Sequence, residues 1–244
     1  MRHFRKPDNE IDGVLLVDKA PDMTSHDVVA IARRALGTRR IGHCGTLDPM
    51  ATGLLILVIG RGTKIQDLLM SEEKEYRGML TLGYTTTTQD RMGEVVERRP
   101  VPEYSADDLK AAFEAYKGDF MQTPPMVSAI KKDGVPLYKL ARKGQEVERQ
   151  PRLVHVFAYA IGKITWPHVE FGVICSKGFY VRTYSADIGE KLGCGGHLSA
   201  LRRMRSGKFV VDGAVPAMDM KTMPREELMG RVMSLADVSR LRGA

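Results

Sequence analysis

The sequence predicts an α+β chain in which strands and helices are interleaved, and three stretches carry this prediction. Leu54 to Ile59 is an unbroken aliphatic run, far shorter than the roughly 20 residues of a membrane span, and is typical of a core element. Tyr76 to Tyr84 alternates between apolar and polar residues, as a half-buried strand does. Ser105 and Asp108 have the spacing of a capping box, which predicts an amphipathic helix running to Tyr116.

The remaining elements follow from turn, capping and apolar signals along the chain. Ser25 is expected to cap a helix that stops at Gly37, and Thr63 is expected to cap a short helix that ends at Leu69. A turn signal at residues 132–134 predicts a hairpin. Strands are predicted at 11–18, 94–101, 154–161, 168–175 and 179–183, and further helices at 136–142, 184–192 and 225–235.

Composition narrows the classes of protein. Lys and Arg number 37 against 30 Asp and Glu, and the net charge of +7 with a pI near 9.3 favours a polyanionic partner. Cys44, Cys175 and Cys194 are odd in number and lack Cys-x-x-Cys spacing, so reduced thiols are expected rather than disulfides or a zinc site. The N-terminal residues lack the apolar region of a signal peptide, which predicts a cytoplasmic protein. No metal-binding or dinucleotide motif is visible, and we expect no cofactor.

The stretch from Gly42 to Gly53, Gly-His-Cys-Gly-Thr-Leu-Asp-Pro-Met-Ala-Thr-Gly, holds one acid, Asp48. A residue before proline is pushed toward extended geometry, so the Asp48 carboxylate is expected on a stiff, non-helical backbone. The surrounding glycines permit positive φ and close approach of a ligand to the main chain. Taken by itself, an Asp-Pro pair among glycines is most often a surface turn.

The whole string resembles the signature of the TruB family of pseudouridine synthases, which isomerise a uridine in the T-loop of tRNA. The family pattern is roughly Gly-His-x-Gly-Thr/Ala-Leu-Asp-Pro-x-Ala-x-Gly, and Cys44 replaces the usual threonine. Lys74-Glu75-Tyr76 resembles the second functional motif of the family, and Ser176 to Thr183 resembles the third. The resemblance extends over about residues 10 to 210. It implies the α+β pseudouridine synthase fold, a mixed, mostly antiparallel sheet flanked by helices.

The resemblance also implies roles for individual side chains. Asp48 would be the nucleophile, Arg182 the cation that orients it, and Tyr76 the platform on which the target base stacks. Tyr180 would be a second ring of the pocket, Leu201 an apolar wall, and His43 the residue that inserts where the base has left. Without the resemblance, Tyr76 is better interpreted as a strand aromatic, and the alternation of strand 179–183 places Tyr180 and Arg182 on one face.

Apolar and basic residues alternate between His197 and Lys208. This pattern fits a strand with a solvated cationic face, and equally a rim that contacts RNA phosphates. The candidate phosphate contacts are Arg202, Arg203, Arg205 and Lys208.

The expected function is the isomerisation of uridine 55 in tRNA, through a flipped base and an aspartate nucleophile. A single acid argues against a glycosidase, which generally needs two. One alternative is a non-catalytic tRNA-binding or RNA-folding protein that uses the same cleft, and another is a nucleoside hydrolase that releases uracil. The expected partner is the T-arm of tRNA, without a guide RNA or a membrane, and a monomer is expected. Residues 1–212 are expected to form the catalytic domain, and 213–244 a short tail below the size of a full RNA-binding domain.

Overall fold

The computed structural model describes residues 11–128, 131, 132, 134–137, 145 and 147–243. By their contacts the described residues fall into two compact units, one formed by 11–72 with 204–243 and the other by those between 73 and 203. The predicted helix at 136–142 lies largely outside the described residues. The predicted boundary at residue 212 stays a prediction.

The first unit is built around strand β3, which is buried along nearly its whole length. The strands are β1 (Gly13–Lys19), β2 (Ile41–Cys44), β3 (Thr52–Ile59), β13 (Phe209–Val210) and β14 (Val215–Pro216), and the helices are α1 (Ser25–Leu36), α2 (Gln66–Met70), α5 (Arg225–Gly230) and α6 (Leu235–Arg242). Strand β3 runs antiparallel to both β1 and β2, and β1 runs parallel to β14. The aliphatic run predicted as a core element is this buried strand.

The core of the first unit draws on residues far apart in the chain. Leu54, Ile56 and Val58 of β3 pack in one cluster with Phe209 and with Val238 of α6. The C-terminal segment is also tied to β1 by backbone bonds in both directions between Val14 and Met233, at 3.0 and 2.8 Å. The hydrophobic face of α6 therefore belongs to the same core as the buried strand.

The second unit is an antiparallel sheet with helices against it. Its elements are β4 (Lys74–Leu82), β5 (Tyr84–Thr86), β6 (Val95–Arg98), α3 (Ala106–Glu114), β7 (Gly118–Gln122), β8 (Lys131–Lys132), β9 (Val135–Pro136), β10 (Arg152–Thr165), β11 (His168–Cys175), α4 (Val181–Lys191) and β12 (Gly196–Ser206). The boundary between the two units falls within β12, after residue 203. The strand order is β12-β4-β11-β10-β7. Together with the parallel pairing of β1 and β14 in the first unit, these antiparallel pairings confirm the predicted mixed, mostly antiparallel sheet with flanking helices.

Aromatic side chains fill the space between this sheet and its helices. Tyr184 of α4 lies at their centre, with ring centroids 5.3 Å from Phe179, 5.9 Å from Phe113 and 6.0 Å from Phe171. Tyr184 is fully buried. The helix that carries the third motif is thus fixed against the sheet by aromatic packing.

Several predicted boundaries were right. The Ser105–Asp108 capping box is formed, and the 132–134 signal is a hairpin in which Lys132 pairs with Val135. The strands predicted at 154–161 and 168–175 are β10 and β11, which pair with each other.

Other predicted boundaries were wrong. Thr24, rather than Ser25, caps α1, because its side chain completes a capping box with Asp27. Thr63 does not cap α2; its hydroxyl bonds to the Gly60 carbonyl within a 3-10 turn, and α2 begins after Ile65. The predicted helix at 225–235 is two helices, since a new capping box at Ser234 starts α6.

Candidate active site

The loop that follows β2 holds Asp48 in a tight turn. The Ala51 N–H donates to the Asp48 carbonyl at 3.0 Å, so residues 48–51 form a β-turn with Pro49 at its second position, where the fixed φ of proline is favoured. Gly45 and Gly53 have φ of +79° and +94°, values that side-chain-bearing residues rarely adopt. Asp48 is half-buried. The stiff, non-helical backbone predicted for this acid is confirmed.

Both neighbours of Asp48 are fixed by the connection between β1 and α1. The Ser25 hydroxyl accepts from the Leu47 N–H at 2.9 Å and donates to the Leu47 carbonyl at 3.1 Å. The Pro49 carbonyl accepts from the Asp22 N–H at 2.9 Å and from the Lys19 ammonium at 3.1 Å. Because Thr24, and not Ser25, caps α1, the Ser25 hydroxyl can make its two hydrogen bonds to the Leu47 backbone. The backbone on either side of Asp48 therefore has a fixed path.

Lys19 is fully buried, which is rare for a lysine. Its ammonium also donates to the carbonyls of Ala20 at 2.9 Å and Met23 at 2.7 Å. Burial lowers the pKa of Lys19 to about 8, and the nearby Asp48 carboxylate is the strongest influence that opposes this fall. Lys19 is thus a charged brace whose ionisation is coupled to Asp48, and the sequence analysis did not single it out.

His43 lies on β2, half-buried, two residues before Gly45. Its backbone carbonyl accepts from the Gln66 carboxamide at 3.2 Å, and its ring meets that of His26 edge-on, with centroids 6.4 Å apart. A Cβ at the neighbouring Gly42 would stand 3.1 Å from the Gln66 side-chain oxygen. The absence of a side chain at Gly42 therefore lets α2 support this strand closely.

Tyr76 and Leu201 lie in the second unit, on β4 and β12. Tyr76 is 9% exposed and Leu201 8% exposed, so each side chain has only its margin in contact with solvent. Tyr76 pairs with Val173 of β11. Both residues are thus largely buried within their strands.

The predicted strand at 179–183 is wrong. Tyr180 is the N-terminal cap residue of α4, and Arg182 is in the first turn of that helix. The argument that strand alternation places Tyr180 and Arg182 on one face therefore fails. The β-branched and aromatic residues of this segment favour a strand, but the aromatic packing of Tyr184 against the sheet holds it as a helix.

Arg182 is buried, at 3% exposure, and binds two loops of its own unit. Its guanidinium donates to the carbonyls of Thr88 at 3.0 Å and Val127 at 2.7 Å. Its Nε lies 3.7 Å from the Asp90 carboxylate, which is buried as well. Arg182 therefore has an acidic partner that the sequence analysis had not identified.

Asp90 belongs to the loop between β5 and β6. Its carboxylate accepts from the Thr88 hydroxyl at 2.6 Å and from the Met92 N–H at 2.9 Å, which closes the turn. The loop is joined to β12, since the Leu198 N–H donates to the Gln89 carbonyl at 3.0 Å and the Arg91 N–H to the Leu198 carbonyl at 3.1 Å. In the sequence, only an acid at the end of a polar, threonine-rich loop marked this position.

The basic residues of β12 and the turn after it differ in accessibility. Arg203 is buried beside Leu201, so the predicted phosphate contact is wrong for this residue: strand alternation turns its side chain inward. Arg202 is half-buried and Lys208 is exposed. Arg205 donates to the Gly207 carbonyl at 2.9 Å. Of the four candidates, Arg202, Arg205 and Lys208 keep solvent access for an anionic ligand.

The predicted site residues are divided between the units. His43 and Asp48 lie in the first, and Tyr76, Tyr180, Arg182 and Leu201 in the second. Within the described ranges, no group of three or more His, Cys, Asp or Glu side chains could hold a metal ion. The same ranges hold no helix with the length and apolarity to cross a bilayer.

Comparison with known proteins identifies the family. Residues 33–181 match the model described as TruB family pseudouridylate synthase (N terminal domain), and residues 182–235 match the tRNA pseudouridylate synthase B C-terminal domain. A tRNA pseudouridine synthase B of Opitutus terrae is 50% identical, covering 93% of this chain and 95% of its own. The same enzyme of Syntrophotalea carbinolica is 47% identical, covering 94% of this chain and 75% of its own.

Solved structures agree with these matches. The crystal structure of a Cbf5-Nop10-Gar1 complex superposes with a TM-score of 0.74 at 25% identity, covering 95% of this chain and 62% of the other. An archaeal box H/ACA Nop10-Cbf5 complex gives 0.69 at 25% identity, covering 96% and 63%. The chain belongs to the TruB family of pseudouridine synthases.

Proposed function

We propose that the chain isomerises uridine 55 in the T-loop of tRNA to pseudouridine, with Asp48 as the nucleophile. The observation that carries the proposal is the braced turn at Asp48, in which one acid is held before proline with the backbone fixed on both sides. The curated relatives are named for a reaction on tRNA. A polyanionic substrate also suits the net charge of +7.

The chemistry requires one carboxylate and no external reactant. The bond between N1 of uracil and C1′ of ribose breaks, the base turns over, and a bond forms between C5 and C1′. A proton leaves C5 and a proton is taken up at N1, so the RNA has the same mass before and after. Since the detached base rejoins the same ribose, a nucleophile that holds one half of the substrate suffices, and the second acid of a glycosidase is not needed.

The surroundings of Asp48 suit a nucleophile. The buried Lys19 ammonium lies near enough to interact with the Asp48 carboxylate, and a positive charge stabilises the ionised form of a neighbouring acid. The rigid turn orients the carboxylate before substrate binds, which lowers the entropic part of the barrier.

The roles of the remaining residues extend the family pattern to this chain. The target base has to leave its stack before a side chain can reach the glycosidic bond. We assign Tyr76 as the stacking platform, an interaction worth about 1–3 kcal/mol per base in general. Tyr180 and Leu201 line the same pocket, Arg182 orients Asp48, and His43 inserts into the RNA in place of the flipped base.

We propose further that the chain acts on tRNA without a guide RNA, as a monomer, in the cytoplasm. Arg202, Arg205 and Lys208 contact phosphates. Residues 213–244 depend on the catalytic domain for folding, which is supported by the packing of Val238 in the core of the first unit.

The direct test uses unmodified tRNA transcribed in vitro. After incubation with the protein, carbodiimide treatment and reverse transcription map pseudouridine as stops one nucleotide before each modified position. We expect a single new stop that reports position 55, with the mass of the RNA unchanged. Release of free uracil would identify a hydrolase instead, and tight tRNA binding without a stop would identify a non-catalytic binding protein.

A further inference from the structure

Gln122 ends strand β7 and is almost fully buried, at 2% exposure. Its carboxamide makes two hydrogen bonds to the backbone of one residue, Tyr180. The Tyr180 N–H donates to Oε1 at 2.8 Å, and Nε2 donates to the Tyr180 carbonyl at 3.1 Å. A neutral carboxamide offers a donor and an acceptor side by side, so it satisfies both polar groups of a single residue.

The position of this contact in the fold gives it importance. Tyr180 is the cap residue of α4, and its own side chain forms no capping bond. Its carbonyl also accepts the first helical bond, from the Tyr184 N–H at 3.0 Å. Gln122 therefore fixes the point at which the chain enters α4, and with it the direction in which the Tyr180 side chain leaves the backbone.

A second tie joins the same two segments. Arg182, two residues after Tyr180, donates to the Val127 carbonyl at 2.7 Å. The chain between Gln122 and Val127 contains Pro124 and Pro125, which restrict its backbone. Segment 122–127 is thus bound to segment 180–182 at both ends, and a shift of Gln122 would be transmitted to both Tyr180 and Arg182.

We propose that Gln122 is a positioning residue for pseudouridine formation, acting through the Tyr180 backbone to set the places of the Tyr180 ring and the Arg182 guanidinium. This inference rests on the proposed function. Gln122 has no direct part in the reaction: its effect falls on the chemical step, because it orders side chains that the substrate meets after binding.

Two substitutions separate the polar contact from the packing. Gln122→Met keeps a similar volume and removes both hydrogen bonds. Gln122→Glu keeps the acceptor for the Tyr180 N–H, but its carboxylate faces the Tyr180 carbonyl without a proton to share. The control is Gln150→Met, the same replacement at an exposed glutamine shortly before β10. Circular dichroism and melting temperature establish that each variant is folded.

The measurements are the single-turnover rate of pseudouridine formation and, separately, the Kd for tRNA. Because two buried hydrogen bonds are lost or weakened, we expect the single-turnover rate of Gln122→Met and Gln122→Glu to fall at least about tenfold. The Kd for tRNA should stay within about twofold of wild type, and Gln150→Met should leave both the rate and the Kd unchanged. A folded variant of either kind with the wild-type rate would overturn the proposal. So would a rate restored in full by saturating tRNA, since that result would assign Gln122 to binding.

Hydrogen exchange at the Tyr180 amide provides a readout independent of activity. We expect this amide to be protected in the wild type and to exchange faster in Gln122→Met, since its acceptor is gone. An unprotected Tyr180 amide in the wild type would refute the contact even if both variants failed to fold. If the wild type forms no pseudouridine, the proposed function fails, and protection of this amide still tests the contact.

Discussion

Replacing Asp90 by asparagine tests whether the buried pair with Arg182 holds the second unit together. The Asp90 carboxylate lies 3.7 Å from Arg182 Nε, and the side chains are 6% and 4% exposed. Two unit charges at that distance attract by about 4–5 kcal/mol at an effective dielectric constant near 20. Removal of one partner of a buried pair costs about 3–5 kcal/mol. Because Arg182 keeps its bonds to Thr88 and Val127, we expect the lower value, about 3 kcal/mol.

Thermal and urea unfolding measure this loss. A destabilisation of about 3 kcal/mol corresponds to a melting temperature lowered by about 6–12 °C for a chain of this size. The control is Glu190→Gln, which removes an ion pair with Arg99 that is shorter, at 2.7 Å, but has side chains 29% and 49% exposed. Exposed pairs contribute about 1 kcal/mol or less, so the control should melt within about 4 °C of wild type.

Comparison of the two variants separates the effect of burying an ion pair from the effect of the distance between its charges. If Glu190→Gln destabilises the protein as much as Asp90→Asn does, burial is not the source of the effect. A melting temperature for Asp90→Asn equal to that of the wild type would refute the reasoning altogether.

Three further predictions concern the brace, the platform and the RNA rim. The pKa of Lys19 is about 8 in the folded protein and near 10.4 in an unfolded chain, so the unfolded state binds more protons between these pH values. The unfolding free energy of the wild type should therefore rise relative to that of Lys19→Met from about pH 8 to 10. Parallel pH profiles of the two proteins in urea unfolding would contradict this prediction. Tyr76→Leu should slow pseudouridine formation more than Tyr76→Phe, which keeps the ring, and equal single-turnover rates would count against stacking. Alanine at both Arg202 and Lys208 should flatten the plot of log affinity against log salt by about 1.4–1.8, and an unchanged slope would show that tRNA phosphates bind elsewhere.

The sequence was informative wherever the determinants of structure are local. The Asp48 turn follows from Asp-Pro and glycine, and the α3 capping box from Ser105 and Asp108, because each depends on residues a few positions apart. The aliphatic run of β3 could only be a core element, and hydrophobic periodicity indicated most strands. Family membership was visible in the motif around Asp48 for the same reason, since one loop contains the whole signature.

The errors arose where partners are distant in sequence. Segment 179–183 has strand-like composition, yet it begins a helix because Gln122 bonds to its backbone and Tyr184 packs against the sheet. Arg203 looked solvated because neighbouring residues are basic, and only the pairing of β12 determined which side faces inward. Asp90 and Lys19 are ordinary loop residues in sequence, and their burial depends on segments that pattern reasoning cannot bring together.

The most direct test of the central claim is the rate of pseudouridine formation by Asp48→Asn. Asparagine keeps the size of the side chain and most of its hydrogen bonding but removes the charge, and the exposed Asp212→Asn is the matched control. With deamidation excluded by mass spectrometry, we expect no measurable pseudouridine from Asp48→Asn in single-turnover assays, tRNA affinity within a few-fold of wild type, and full activity for Asp212→Asn. Appreciable pseudouridine formation by Asp48→Asn would contradict the assignment of Asp48 as the nucleophile.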